Sequence, residues 1–421
     1  IDAMRQLFIY LLILSTSVLY AADEEQYMSL TLDQAIVNVL EHNPQLIAAD
    51  FEAKAAAARI RAARLTPAFQ TSIEFENFGG SGIQSGTNVL ESTLSLSKVL
   101  ELGDKAKLRG DVAQNEAMIL HNEQDAMRLD LLADTTRRFL QIVTDQERLV
   151  IAQDSLELAA RTYDFIELRV KTGKLPNVEL ERARIALAKK KLELEHTRYT
   201  LKTSRLKLAT LWGETQTQFS TADARLFDLE QVEPFETLVQ LLEHNPDLVR
   251  FATESRLAET RIQLASSRKN ADIEIAGGVR HFNLTDDTGL VMSLKIPFGN
   301  KSRAAPKVEE AEMTSLRNPY KLEQRRLELY ATLFEVYQEL RHALAAESTY
   351  RETIIPLAES TLKDYEKGYA AGRYSLLELN VAQRILLDSK LEHVIAAADY
   401  HRYRIEIDRL TGAGLTTGAN P

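Results

Sequence analysis

Apolar side chains recur at helical spacing from residue 30 onward, at Leu32, Ile36, Val39 and Leu40, and an alanine-rich run continues from Ala48 to Ala63. Asn43-Pro44 between them suits an N-cap followed by a first helical residue. The period then changes. Phe69, Thr71, Ile73 and Phe75 alternate with Gln70, Ser72, Glu74 and Glu76. After Gly79-Gly80-Ser81-Gly82 and Ser85-Gly86, a second run sets Leu90, Leu94 and Leu96 against Glu91, Thr93, Ser95 and Ser97, closing at Leu102-Gly103. This alternation predicts a β-hairpin with one apolar and one polar face. A second hairpin follows much later. Ile273, Ile275 and Val279 oppose Asp272, Glu274 and Arg280, and Leu284 to Gly289 makes the turn. Leu290, Met292, Leu294, Ile296 and Phe298 then alternate with Val291, Ser293 and Lys295, with Pro297 and Gly299 ending the strand. Strands of about ten residues with one apolar face have the length of tilted membrane strands.

A helical tract follows each hairpin, over 104–172 and 301–371, with interruptions expected at Asn318-Pro319 and Pro356. At 1.5 Å per residue, roughly 70 residues reach about 100 Å. Each tract stops at a glycine, Gly173 or Gly372, and a further helix returns to Leu211-Trp212-Gly213 or Leu410-Thr411-Gly412. The order of elements is therefore written twice. Leu40-Glu41-His42-Asn43-Pro44 returns as Leu242-Glu243-His244-Asn245-Pro246, and Gly173, Glu179-Leu180 and Ala183 return as Gly372, Glu378-Leu379 and Ala382. A separation of about 200 residues is too long for a solenoid and marks one duplicated, fused unit. The expected organisation is a first repeat over 22–213, a second over 214–412 and a tail over 413–421.

Residues 1–21 read as a secretory signal peptide, with Met4-Arg5 before the apolar stretch Leu7 to Leu19 and cleavage after Ala21. No later apolar run is long enough for a membrane helix. The chain has 421 residues, no cysteine and a net charge of -10, which removes disulfides, thiol chemistry and thiolate metal sites and disfavours nucleic acid. His42 and His244 precede helix starts and read as structural. His121, His196, His281, His342, His393 and His401 are scattered singly, without a metal-ligand pair. No nucleophile motif or phosphate loop is present, so the chain reads as no enzyme and needs no cofactor.

Four membrane strands cannot close a barrel alone, because open edges are not tolerated in lipid. Several chains must contribute, and their long helices then gather beneath one barrel. Here the sequence resembles the TolC-like outer-membrane efflux proteins, in particular the Czc/Cus-type heavy-metal branch, from Leu30 to Gly412. The duplicated order carries the resemblance, together with Asn77-Phe78-Gly79-Gly80, Ile296-Pro297-Phe298-Gly299 and Leu410-Thr411-Gly412. It implies a mainly α protein with membrane β: a homotrimer whose twelve-stranded outer-membrane β-barrel, four strands per chain, continues as a long periplasmic α-helical barrel. It also implies docking to a periplasmic adaptor (membrane fusion) protein and an inner-membrane RND-type pump, with outer-membrane lipid around the barrel.

By the same resemblance, the two hairpin tips face the adaptor: Gly173, Lys174 and Leu175, and Gly372, Arg373, Tyr374 and Ser375. Glu179 and Glu378, six residues beyond their glycines, match acidic gate positions, and Tyr369 matches a recurrent gate tyrosine. Rings of three carboxylates repel one another and favour cations; the alternative for each is a first-turn carboxylate favoured by the helix dipole. Val381 stands where some relatives are acidic. The function expected is a passive outer-membrane duct of a tripartite efflux system, with heavy-metal cations as cargo. A periplasmic adaptor or coiled-coil scaffold, and a duct for drugs or secreted proteins, are the alternatives.

Overall fold

The structure, a computed structural model, describes residues 28–412. The expected signal peptide and C-terminal tail lie outside the described residues. Strand β1 (Met28–Leu30) leads into helix α1 (Leu32–His42), whose start is a capping box: Thr31 Oγ1 accepts from Gln34 N–H and Gln34 Oε1 accepts from Thr31 N–H. Asn43 then caps α2 (Pro44–Ala63), its Oδ1 accepting from Gln45 N–H at 2.8 Å, with Pro44 in the first turn. The chain rises through β2 (Gln70–Glu76), descends through β3 (Glu91–Leu100), and enters the 67-residue helix α3 (Lys105–Lys171). Helix α4 (Asn177–Ala209) returns, and β4 (Phe219–Ala222) pairs in parallel with β1. That two-stranded sheet was not legible in the sequence, because strands so short carry no alternation.

The second half repeats the order with α5 (Phe235–Leu241), α6 (Pro246–Ser267), β5 (Ile273–Phe282), β6 (Asp287–Lys295), α7 (Asn300–Thr349), α8 (Ile355–Ala370) and α9 (Leu376–Thr411). Both hairpins form, with shifted limits: Phe69, Leu90, Ile296 and Phe298 lie outside the strands, and the second turn is shorter than expected, since Asp287 to Gly289 already pair in β6. Pro297 has no N–H to extend the last ladder. One expectation fails outright. Helix α7 runs unbroken through Pro306 and Pro319, and Asn318 is no cap but a buried side chain whose Nδ2 donates to Glu254 O in α6. Contact with α6 and α9 along its length holds α7 helical where local propensity would end it. The interruption expected at Pro356 is met by a π-helical turn, Tyr350–Ile354, closed by Ile355 N–H to Tyr350 O. Pro356 sits just beyond, and the widened turn accommodates its ring and missing donor.

All four long strands form one antiparallel sheet in the order β2-β3-β5-β6. Residues facing one another across antiparallel strands share a face. Ile73, Leu94, Val279 and Leu290 form one row, and Thr71, Leu96, Gly277 and Met292 another on the same side. This apolar face is bare: Leu290 and Met292 are 88% and 84% exposed. The opposite face carries Ser72, Glu74, Glu76, Glu91, Thr93, Ser95, Arg280 and Lys295. Among the described residues, strands β2 and β6 have free outer edges. Below the sheet the helices bury separate cores, one around Val39, Ile142, Leu208 and Trp212, one around Leu333, Leu340, Tyr400 and Leu410, and one near the tips around Ala358, Leu362 and Leu379. Among the described residues no helix is long and apolar enough to cross a membrane.

Candidate functional site

Both hairpin tips are closed by the same device. In the first, Gly173 takes φ 70°, its N–H donates to Val170 O at 3.0 Å, and Lys174 N–H donates to Arg169 O at 2.8 Å. In the second, Gly372 takes φ 76°, with Gly372 N–H to Tyr369 O at 3.0 Å and Arg373 N–H to Gly368 O at 2.8 Å. This is a Schellman-type stop, which needs a left-handed residue and therefore favours glycine. Lys174 and Arg373 are exposed, Leu175 is half-buried, and Tyr374 folds back so that its ring centroid lies 4.7 Å from that of Tyr365. Gly368 makes room for that ring; a Cβ there would collide with Tyr374.

Helix α9 starts with a second capping box. Ser375 Oγ accepts from Glu378 N–H, while Glu378 Oε2 accepts from the Ser375 N–H and hydroxyl, both at 2.8 Å. These donors hold the exposed Glu378 carboxyl below the usual carboxylate range, so it stays ionised. Glu179 in α4 is less exposed and lies 3.3 Å from Arg182. Tyr369 is buried, 7% exposed, and packs at 5.4 Å from Phe165 of α3. Burial raises its pKa; the neighbouring Arg169 opposes the shift and Glu179 adds to it. Its hydroxyl has no hydrogen-bond partner among the described residues.

Arg169 ties the tips together. Its guanidinium lies 4.7 Å from the Phe165 ring and 5.6 Å from the Tyr369 ring, and donates to Ala370 O at 2.8 Å. A groove of about 750 Å³ opens between the hairpins here, lined by Ile166, Arg169, Glu179, Tyr369, Tyr374 and Asn380 among others. The structure thus brings Glu179 and Tyr369 to one groove and leaves Glu378 at its rim as a cap. The sequence reading missed Arg169 and Phe165. Their only signal was a basic residue in a last helical turn, and the cross-hairpin contact spans 201 residues.

At the other end, the polar face of the sheet holds a second cluster. Arg280 of β5 reaches across β3 to β2, with Nη1 2.7 Å from Glu91, Nη2 2.7 Å from Glu76 and Nε donating to Thr93 Oγ1 at 2.8 Å. Lys295 faces Glu274 at 3.4 Å. Glu74 adds a further carboxylate, so acidic groups outnumber basic ones on this face. Among the described residues no group of three or more His, Asp or Glu side chains is placed to hold a metal ion.

A bare apolar sheet face, a polar opposite face, free edges and long helical hairpins define the subunit of an oligomeric membrane channel. The family model of the outer membrane efflux protein matches residues 35–214 and 237–413, and the chain belongs to that family. The cobalt-zinc-cadmium resistance protein CzcC of Cupriavidus metallidurans is 25% identical over 406 residues, covering 94% of this chain and 93% of that protein. The solved structure of CusC matches with a TM-score of 0.73 at 19% identity, covering 91% of this chain and 92% of CusC. VceC of Vibrio cholerae matches with a TM-score of 0.72 at 16% identity over 90% of this chain and 96% of its own. The channel OprN matches with a TM-score of 0.73 at 16% identity, over 90% and 89%. The chain is an outer-membrane efflux channel with a periplasmic helical extension, not an enzyme, and the family implies a homotrimer working within a tripartite system. Family membership sets aside the adaptor and scaffold alternatives.

Proposed function

We propose that the trimer conducts heavy-metal cations outward, receiving them from a periplasmic adaptor and an inner-membrane RND-type pump. The likeness to CzcC along 94% of the chain carries this reading. The excess of carboxylates on the inner face of the barrel agrees with it, since three copies of Glu74, Glu76, Glu91 and Glu274 outnumber those of Arg280 and Lys295. The repeats 22–213 and 214–412 supply one hairpin tip each. Gly173, Lys174 and Leu175, with Gly372, Arg373, Tyr374 and Ser375, form the docking surface for the adaptor. Glu179, Glu378 and Tyr369 form the periplasmic gate, in which Glu378 contributes a charge that its cap keeps ionised and Tyr369 offers a hydroxyl still free to bond.

Planar-bilayer conductance of the purified trimer tests the gate. Replacing both Glu179 and Glu378 by alanine is expected to lower the cation-to-anion permeability ratio and raise the open fraction; unchanged selectivity and gating in the double variant would sink the assignment. Cargo is tested in cells lacking the gene. Lost tolerance to cobalt, zinc or cadmium salts supports the metal reading, and lost tolerance to organic drugs alone overturns it.

A further inference from the structure

The apolar face of the sheet carries one lysine to which no described residue provides a counter-charge. Lys98 of β3 pairs with Ile275 of β5, and the register that sets Gln70 opposite Ser97 places Phe69 on its other side. The rows flanking it on the same face are Thr71, Leu96 and Gly277 above and Leu100 and Ile273 below. Its ammonium lies 4.2 Å from the centroid of the Phe69 ring and makes no ion pair with any described residue. A neighbouring subunit does not border it, because β3 is flanked on both sides by strands of its own chain.

Depth decides what such a charge can meet. Strand β3 passes into the periplasmic helix α3 beyond Leu100, so Lys98 stands two residues above that end of the strand. At about 3.4 Å per residue it lies some 7 Å along the strand from the periplasmic boundary, less after tilt. A lysine stem spans that distance, and the cost of a lipid-facing charge falls steeply toward the interface. An ammonium at that level, with an apolar surround and no internal anion, needs its counter-charge from the bilayer.

We propose that Lys98 binds the phosphate of a phospholipid in the periplasmic leaflet, one lipid per subunit, with the acyl chains running toward the bilayer midplane over Leu96, Met292 and Leu94. Leu94, Leu96 and Met292 are exposed, so that strip is open to a chain. The site fixes the height at which the barrel sits in the membrane. It rests on the outer-membrane setting and is independent of the cargo, which the conductance and tolerance experiments report separately.

Native mass spectrometry of the full-length trimer titrated with phosphatidylglycerol tests it. Wild type and Lys98→Arg are expected to bind up to three lipids, and Lys98→Met, which keeps the belt apolar, to bind each roughly fivefold more weakly. The trimer mass in the same spectra reports assembly. Wild-type affinity in Lys98→Met overturns the proposal. A second measurement needs no variant: wild type is expected to retain phosphatidylglycerol over a phosphate-free dialkyl glycolipid of equal chain length. Equal retention, or preference for lipopolysaccharide, overturns the proposal as well.

Discussion

Asn43 and Asn245 each do two jobs. Their Oδ1 atoms cap helices α2 and α6, accepting from Gln45 N–H and Asp247 N–H, both at 2.8 Å. Their Nδ2 atoms donate to Leu211 O at 2.7 Å, in the 3-10 turn that follows α4, and to Leu410 O at 2.8 Å, in the last turn of α9. Both asparagines are buried. Asn43→Ala removes a cap and leaves a buried carbonyl unpaired, an expected loss of roughly 2–4 kcal/mol, read as a lower unfolding temperature of the detergent-solubilised trimer. The repeated Leu-Glu-His-Asn-Pro was legible as a helix start; the second bond, to a residue 168 positions away, was not. Glu378 supplies a pH signature. Its folded pKa lies below its ordinary 4.5, so the cap's contribution is complete above that value and is lost as pH falls from 4.5 through the lowered pKa. Amide exchange in the first turn of α9, corrected for its intrinsic pH dependence, is expected to accelerate across that window in wild type. In Glu378→Gln, whose amide does not titrate in that window, the acceleration disappears.

Among the elements, the sheet makes the sharpest demand on sequence. Adjacent glycines in β5 differ completely. A Cβ on Gly277 meets nothing within 4 Å, whereas one on Gly278 collides with the Leu94 carbonyl and lies 2.7 Å from Ser95 Cβ. Gly278→Ala is therefore expected to disrupt the β3–β5 register and reduce the yield of folded trimer, with Gly277→Ala near wild type, as seen by heat-modified electrophoretic mobility and outer-membrane recovery. The tips behave differently. A Cβ on Gly173 or Gly372 meets empty space, so only the positive φ opposes substitution, at about 1 kcal/mol each. Gly372→Val should leave the trimer intact and weaken capture by an immobilised adaptor; full capture argues against the docking role. The hairpins and helical tracts were legible because their periods are strong over many residues. The interruption read at Asn318-Pro319 does not occur, because Pro319 lies in a helix supported along its length, where packing overrides propensity, while the one read at Pro356 is met by the π turn just before it. At the candidate gate, Glu179 and Tyr369 were reached through likeness, whereas the Arg169 clamp depends on two hairpins meeting, which periodicity cannot report.

At the scale of the whole molecule, the sheet faces divide the work. Met292 lies on the apolar face near mid-strand and Ser293, its neighbour, on the polar one. Met292→Arg is expected to cost roughly 2–4 kcal/mol of membrane stability and to lower the amount of inserted trimer. Ser293→Arg should insert normally and shift single-channel selectivity toward anions. The reverse pattern would exchange the two faces and undo the barrel reading. Three contacts that join distant segments share one further property: Asn43 to Leu211 O, Asn245 to Leu410 O, and Arg169 to Ala370 O all end on main-chain carbonyls. A carbonyl survives any substitution of its own residue. The positions that receive these bonds can therefore drift while those that give them cannot, and a duplicated chain can lose most of the identity between its halves without losing the joints that hold them.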